Sequence, residues 1–264
     1  MNETDRTTQN GKVKGGVRLS SLMRRVNSLA QRGLYDEAIA QVKEAMLVCP
    51  QEPRCSLQLA HLYRAQNKIG PAIEAMKNAV ALDPKNSNTH EQLLQALIEA
   101  ARYDEAIHLS RGMLSTFPRS LFARDVLGIA YLQQGKIDES LRVTNELIRL
   151  APSDPAHHFK KAVLLQQKGE IAQAMNAFTR ALEMDPNGDM ADDAREAIAA
   201  LDSYQLRQIL TISVEDVVFR TKLQIDPKAA SMERGFILSS SGIATLKQIN
   251  LESLPSDSQN RYYH

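Results

Sequence analysis

Apolar residues recur along most of this chain every three or four positions, the period of an amphipathic helix. Leu29, Tyr63, Leu97, Tyr131 and Leu165 each have Arg25, Leu59, Leu93, Leu127 or Lys161 four residues earlier. Beyond them, Tyr35, Ile69, Tyr103, Ile137 and Ile171 each stand three residues before a small one: Ala38, Ala72, Ala106, Ser140 or Ala174. A large apolar residue follows the small one every time, as Ile39, Ile73, Ile107, Leu141 or Met175. Twelve residues past each small position comes a proline, and Pro50, Pro84, Pro118, Pro152 and Pro186 are spaced 34 residues apart.

The period divides the chain into five units, 19–52, 53–86, 87–120, 121–154 and 155–188. Each unit predicts two amphipathic helices joined by a short turn. Gly33, Gly135 and Gly169 fall in that turn, where a helix C-terminus favours a residue free to take positive φ, and Asn67 and Ala101 replace them in the other two units. The small residue lets the paired helices approach to about 8–10 Å. The proline cannot continue a helical ladder and closes the unit.

This pattern resembles the tetratricopeptide repeat, most closely in GLYDEAI (33–39), ARYDEAI (101–107) and ALDPKN (81–86). Departures occur at the fourth position (Leu22, Ser56, His90, Arg124, His158), and large residues occupy the eighth in Val26 and Leu94 and the twenty-seventh in Met113 and Leu147. The resemblance implies an all-α, right-handed superhelical solenoid of helix-turn-helix repeats. Its concave groove would be built from the first helix of each unit.

After Gly188 the phase is lost. Residues 190–201 predict a helix that caps the array and 203–210 a second, so that 189–212 forms a pair of capping helices. From 213 to 250 the punctuation predicts a small helical module. Ser213 serves as a cap with Asp216 near the helix start, and Val217, Val218 and Leu223 form an apolar stripe. Asp226 and Pro227 restart a helix, Gly235 ends it, and Ser239–Ser241 cap a last helix through Leu246. Within it Phe219, Arg220, Leu223, Asp226, Pro227, Ala230, Gly235, Phe236 and Leu238 resemble small helical modules of the extradiol dioxygenase small subunit and of ribosomal-peptide leaders. The catalytic dioxygenase subunit and a leader cleavage site have no counterpart here, so those activities do not carry over. Residues 1–18 and 251–264 are polar and are expected to be flexible tails.

Composition adds exclusions. Lys plus Arg number 32 against 31 Asp plus Glu, so no basic field favours nucleic acid. No stretch has the roughly 18 apolar residues of a membrane span, and no signal segment precedes the repeats, which points to the cytoplasm. Cys49, Cys55 and His61 lack zinc spacing, and the adjacent His157 and His158 point to different sides of a helix. No nucleophile is paired with a base and no glycine-rich loop follows a strand, so neither an enzyme nor a cofactor is expected.

The groove that the resemblance implies has two halves. Units one to three place Asn27, Arg54, Gln58, His61 and Gln92 there, with Arg24, Arg64, Asn88, Glu91 and Gln95 around them. Carboxamides both donate and accept hydrogen bonds, so they suit the backbone of an extended peptide. Units four and five place Phe122, Val126, Ile129, Phe159 and Val163 there, the first three sharing one helical face away from Leu127 and Tyr131. The family's chaperone-tail clamp would need lysine, asparagine and arginine where this chain has Met23, Asn27, Gln58, Asn88 and Gln92, so that cationic clamp is absent. The expected function is a non-enzymatic adaptor that binds a partner polypeptide in the groove. Two alternatives remain open at this point: self-assembly, with the groove filled by the C-terminal segment of the same or a neighbouring chain, and an accessory enzyme subunit docking through the C-terminal module.

Overall fold

The computed structural model describes residues 19–253, and both expected tails lie wholly or largely outside them. The described residues form an all-α chain of fourteen α-helices and one short 3-10 turn, with the first ten helices in helix-turn-helix pairs. The first helices of the units are α1 (19–31), α3 (Pro53–Ala65), α5 (Ser87–Glu99), α7 (Leu121–Gln133) and α9 (Pro155–Lys168). The second helices are α2 (Tyr35–Val48), α4 (Ile69–Leu82), α6 (Tyr103–Thr116), α8 (Ile137–Leu150) and α10 (Ile171–Met184). All five repeat prolines fall just beyond a second helix. Two compact units, one ending at Ala130 and one starting at Tyr131, divide the chain within α7.

Local chemistry explains the boundaries. Glu52, Asn86 and Asp154 cap α3, α5 and α9 by accepting from the backbone N–H of Arg54, Thr89 and Ala156, and the Ser120 hydroxyl accepts from Ala123 at 3.1 Å. Every intra-unit turn passes through the left-handed region, with φ +77° at Gly33, +71° at Gly135 and +83° at Gly169, and also +57° at Asn67 and +54° at Ala101. The next residue then donates back to a first-helix carbonyl at 2.8–3.0 Å: Leu34 to Leu29, Lys68 to Tyr63, Arg102 to Leu97, Lys136 to Tyr131, Glu170 to Leu165. This is the six-to-one bond of a Schellman turn.

The small positions Ala38, Ala72, Ala106, Ser140 and Ala174 are all buried, as are the large residues that follow them. Val26, Leu94, Met113 and Leu147, large where the resemblance leads one to expect small residues, are buried too and accommodated within the array. In the first compact unit, a four-membered ion network joins the third unit's second helix to the second's. Lys77 reaches Glu74 at 2.9 Å and Glu105 at 2.7 Å, and Arg102 reaches Glu105 at 2.5 Å and Glu74 at 3.4 Å. These cations hold both carboxyls below the ordinary glutamate range, Lys77 being the largest influence on each.

In the second compact unit, α11 (Ala191–Glu215) is one continuous helix where two were expected. Ser203 does not break it, because its hydroxyl donates to the Ala199 carbonyl one turn back at 2.9 Å. The first part of α11 packs Ala194, Ile198 and Leu201 with Met175 and Phe178 of α10. Its last part places Ile209 in a second core with Phe219, Leu223, Ala230, Leu246 and Leu251. That core belongs to the three-helix module of α12 (Val217–Ile225), α13 (Pro227–Glu233) and α14 (Ser240–Gln248). Ser213 is buried inside α11 rather than capping α12. Asp216 is the cap, accepting from Phe219 N–H at 2.9 Å. Asp226 with Pro227, Gly235 and Ser239 act where the sequence placed them.

Two buried side chains of α11 clamp the segment leading into α14. Gln205 donates to the Ile237 carbonyl and accepts from its N–H, both at 2.8 Å. Asp202 accepts from the Ser239 N–H at 2.9 Å and from its hydroxyl. A Cβ on Gly242 would lie 2.6 Å from the Asp202 carboxyl, so the close approach of the two helices requires glycine there.

Two outcomes follow from these features. Ala101→Gly relieves a left-handed alanine and is expected to raise stability by about 0.5–1 kcal/mol in urea unfolding, whereas Gly169→Ala lowers it by a similar amount. Because Glu74 and Glu105 titrate lower in the folded chain than their ordinary 4.5, the stability they contribute is complete above that pH and is lost as acid takes the chain below it. The urea midpoint should fall between pH 6 and pH 3, and Lys77→Met should flatten that fall.

Candidate functional site

The first-helix faces carry every residue assigned to peptide binding, and the two compact units are considered in turn. In the first, α1, α3 and α5 present a polar row. The Gln58 amide donates to the Asn27 carbonyl oxygen at 3.0 Å, so these two residues, 31 positions apart, are brought together. Gln92 donates to Asn88 one turn away at 3.3 Å, and Gln95 to Glu99 at 3.1 Å. Arg64 of α3 pairs with that same Glu99 at 2.9 Å, tying α3 to α5. His61 is exposed on α3.

Arg54 is exposed but held. Glu52 takes its guanidinium at 2.7 Å and 3.0 Å, which keeps the Glu52 carboxyl below its usual range and raises the guanidinium further. Arg54 and Arg64 therefore each already have a carboxylate partner within the chain. For Arg54 the signal was present in the sequence: Glu52 caps the helix in which Arg54 is the second residue.

The apolar half divides differently from expectation. On α7, Phe122 and Ile129 are half-buried, but Val126 is only 4% exposed. Ala123, Leu127, Ala130 and Tyr131 are also buried, so α7 is enclosed on most of its circumference and Val126 is a packing residue. In the second compact unit Phe159 and Val163 of α9 are half-buried and lie against the core cluster, where Phe159 meets Phe178 edge-on with centroids 5.4 Å apart. Phe159 thus lends one face to the core and leaves part of its ring outside.

Cys55, His90 and His158 are packed into the fold. Cys55 is buried beneath the start of α3, and desolvation pushes its thiol up, away from thiolate chemistry. His90 is buried against the Asn86 carbonyl at 3.0 Å, and burial lowers the pKa of half-buried His158. Among the described residues no three His, Cys, Asp or Glu are placed to hold a metal ion, and no helix is long and apolar enough to cross a membrane.

Comparison with known proteins agrees with the repeat geometry. Family models described as tetratricopeptide repeat match residues 53–86 and 127–199. No curated protein matches the chain. Among solved structures, MamA from Desulfovibrio magneticus RS-1 superposes with a TM-score of 0.54 at 17% identity, over 64% of this chain and 96% of its own. Another MamA structure gives 0.55 at 22% identity, over 63% and 91%. YrrB gives 0.54 at 15% identity, over 66% and 90%. At these identities the likeness shows the fold alone. Tetratricopeptide repeats are generally non-catalytic and mediate protein–protein interactions, and this chain carries such repeats at residues 53–86 and 127–199 among its five identically turned helix pairs.

Proposed function

We propose that the protein is a non-enzymatic adaptor whose first-helix faces hold an extended partner polypeptide. The observation that carries this reading is the cross-helix pair of Gln58 and Asn27, continued by Gln92 on α5. A carboxamide fixed by a neighbour keeps unused donor or acceptor capacity in a set direction, which suits a peptide backbone. Arg54 and His61, exposed at the same face of α3, would contact polar side chains of the ligand.

Phe122 and Ile129, half-buried on α7, would supply apolar anchoring, because a few such residues usually dominate binding energy. On α9 the outer part of Phe159, with Val163, would offer a smaller apolar contact. Val126 takes no part, being enclosed. One structural neighbour, YrrB, is described as having an unusual peptide-binding site, and that description supports looking for a peptide here.

The test is selection of extended peptides from a random library on the intact protein, followed by calorimetry on variants. Gln58→Ala and Phe122→Ala should each weaken selected peptides by about 1–2 kcal/mol. Gln58→Ala should leave the melting temperature unchanged. Phe159→Ala should lower stability by about 2 kcal/mol because it loses the edge contact with Phe178. Equal affinity of the selected peptides for the wild type and for the Gln58 and Phe122 variants would overturn the reading.

A further inference from the structure

The second half of α11 borders a cleft that the repeat function does not use. Tyr204, Arg207, Gln208, Thr211 and Ile212 of α11 line it together with Phe236, around a volume of about 480 Å³ that is open to solvent. Its walls are fixed by hydrogen bonds. Phe236 follows Gly235, which turns the chain at φ +82°, and its N–H donates to the Ser231 carbonyl at 3.0 Å. The next residue, Ile237, is gripped through both its N–H and its carbonyl by Gln205, so the Phe236 ring is held between the module core and the cleft. On α11 the Gln208 amide donates to the Tyr204 hydroxyl at 3.0 Å, and the Thr211 hydroxyl to the Arg207 carbonyl at 3.0 Å.

The polar capacity left over in the cleft has a definite sign. No lining residue is acidic, and Arg207 brings a guanidinium to it. Three, four and seven places to either side of Arg207 on α11 stand Tyr204, Ser203, Ala200, Leu210, Thr211 and Val214, so its own helix offers no carboxylate there. Glu215 lies further on, at the end of α11, and Asp216 is taken by Arg234. Among the described residues Arg207 has no ion-pair partner, whereas Arg54, Arg64, Arg102, Arg195 and Arg234 all have one. Tyr204, having accepted from Gln208, keeps its own hydrogen to donate, and Gln208 keeps its carbonyl oxygen to accept. Two donors suited to a carboxylate thus stand beside one acceptor suited to an amide N–H, with Ile212 and the Phe236 ring for apolar contact. A free small ligand is ordinarily held with most of its surface covered, which an open cleft does not provide. An acidic residue within a protein segment, next to an apolar one, brings all three groups together and has the rest of its chain for further contact.

We propose that this cleft binds an acidic segment of a partner protein. Arg207 and Tyr204 take the carboxylate of one residue, Gln208 accepts from a backbone N–H, and Ile212 with Phe236 receives the apolar side chain of a neighbour. The site lies on the helix that follows the repeats and does not depend on the peptide-binding faces of the repeats themselves.

Fluorescence polarisation on the full chain tests this with two labelled, end-capped octapeptides, one alternating glutamate with leucine and the other glutamine with leucine. The glutamate peptide should bind at least about tenfold more tightly, because a charge-assisted hydrogen bond is roughly twice as strong as a neutral one. Arg207→Gln should abolish that preference. Tyr204→Phe, which keeps the ring and removes only the donor, should reduce it about threefold. Lys247→Gln removes the same charge from an exposed position on α14 outside the cleft and should leave the preference intact. All three positions are exposed, so the substitutions leave folding intact, which circular dichroism checks. Equal binding of the two peptides by the wild type, a preference that survives in Arg207→Gln, or an equal loss in Lys247→Gln would each overturn the proposal. So would displacement of the glutamate peptide by phenylpropionate at no higher concentration than by the unlabelled peptide, because the cleft would then be a site for a free apolar acid.

Discussion

Each repeat depends on one constraint, a single residue in the left-handed region between its two helices. That residue reverses the chain so tightly that the next backbone N–H donates to the backbone carbonyl of a large first-helix residue: Leu29, Tyr63, Leu97, Tyr131 or Leu165. The bond satisfies an orphan carbonyl at the end of the first helix and fixes the register in which the second helix returns. With the register fixed, the small residue at the crossing always meets the first helix, and five pairs repeat one geometry despite differing side chains. Ala101 shows how strongly this is imposed. An alanine adopts φ +54° there because the packing on either side leaves no other path.

The repeat array was legible because its restraints are local and periodic. Proline, small residue and turn residue recur at one spacing, and each has a steric reason to be where it is. What was illegible depended on neighbours. Val126 shares a helical face with Phe122 and Ile129, yet α7 is enclosed on more sides than a two-faced pattern predicts, so the middle residue of the stripe is sealed and the outer two are half-open. Phe159 is both core and surface because an aromatic ring is large enough to have two environments, and its edge contact with Phe178 depends on the other helix. The continuity of α11 turned on a hydroxyl. A serine that bonds back to its own helix reads in sequence exactly as one that caps the next.

The module beyond the repeats teaches the reverse lesson. Val217, Val218 and Leu223 looked like one stripe, but only Leu223, joined by Phe219, faces the core. Sequence spacing cannot say which of two apolar sides of a short helix is inward. The decision came from Asp216, whose cap sets where α12 begins and therefore its rotation, and from Gln205 and Asp202, which hold the segment into α14 so that Leu246 and Leu251 can close on Leu223.

What binding would exchange limits the proposed surface. On the repeats, Arg54 and Arg64 already have carboxylate partners, so a ligand that engages them must replace bonds of similar strength, while Gln58 and Asn27 offer the capacity that their own bond leaves over. Such a face is pre-organised and discriminates well, because a ligand lacking the matching group leaves the displaced partner unsatisfied. Its net affinity must come from apolar contact, and only Phe122, Ile129 and the open parts of Phe159 and Val163 remain to provide it.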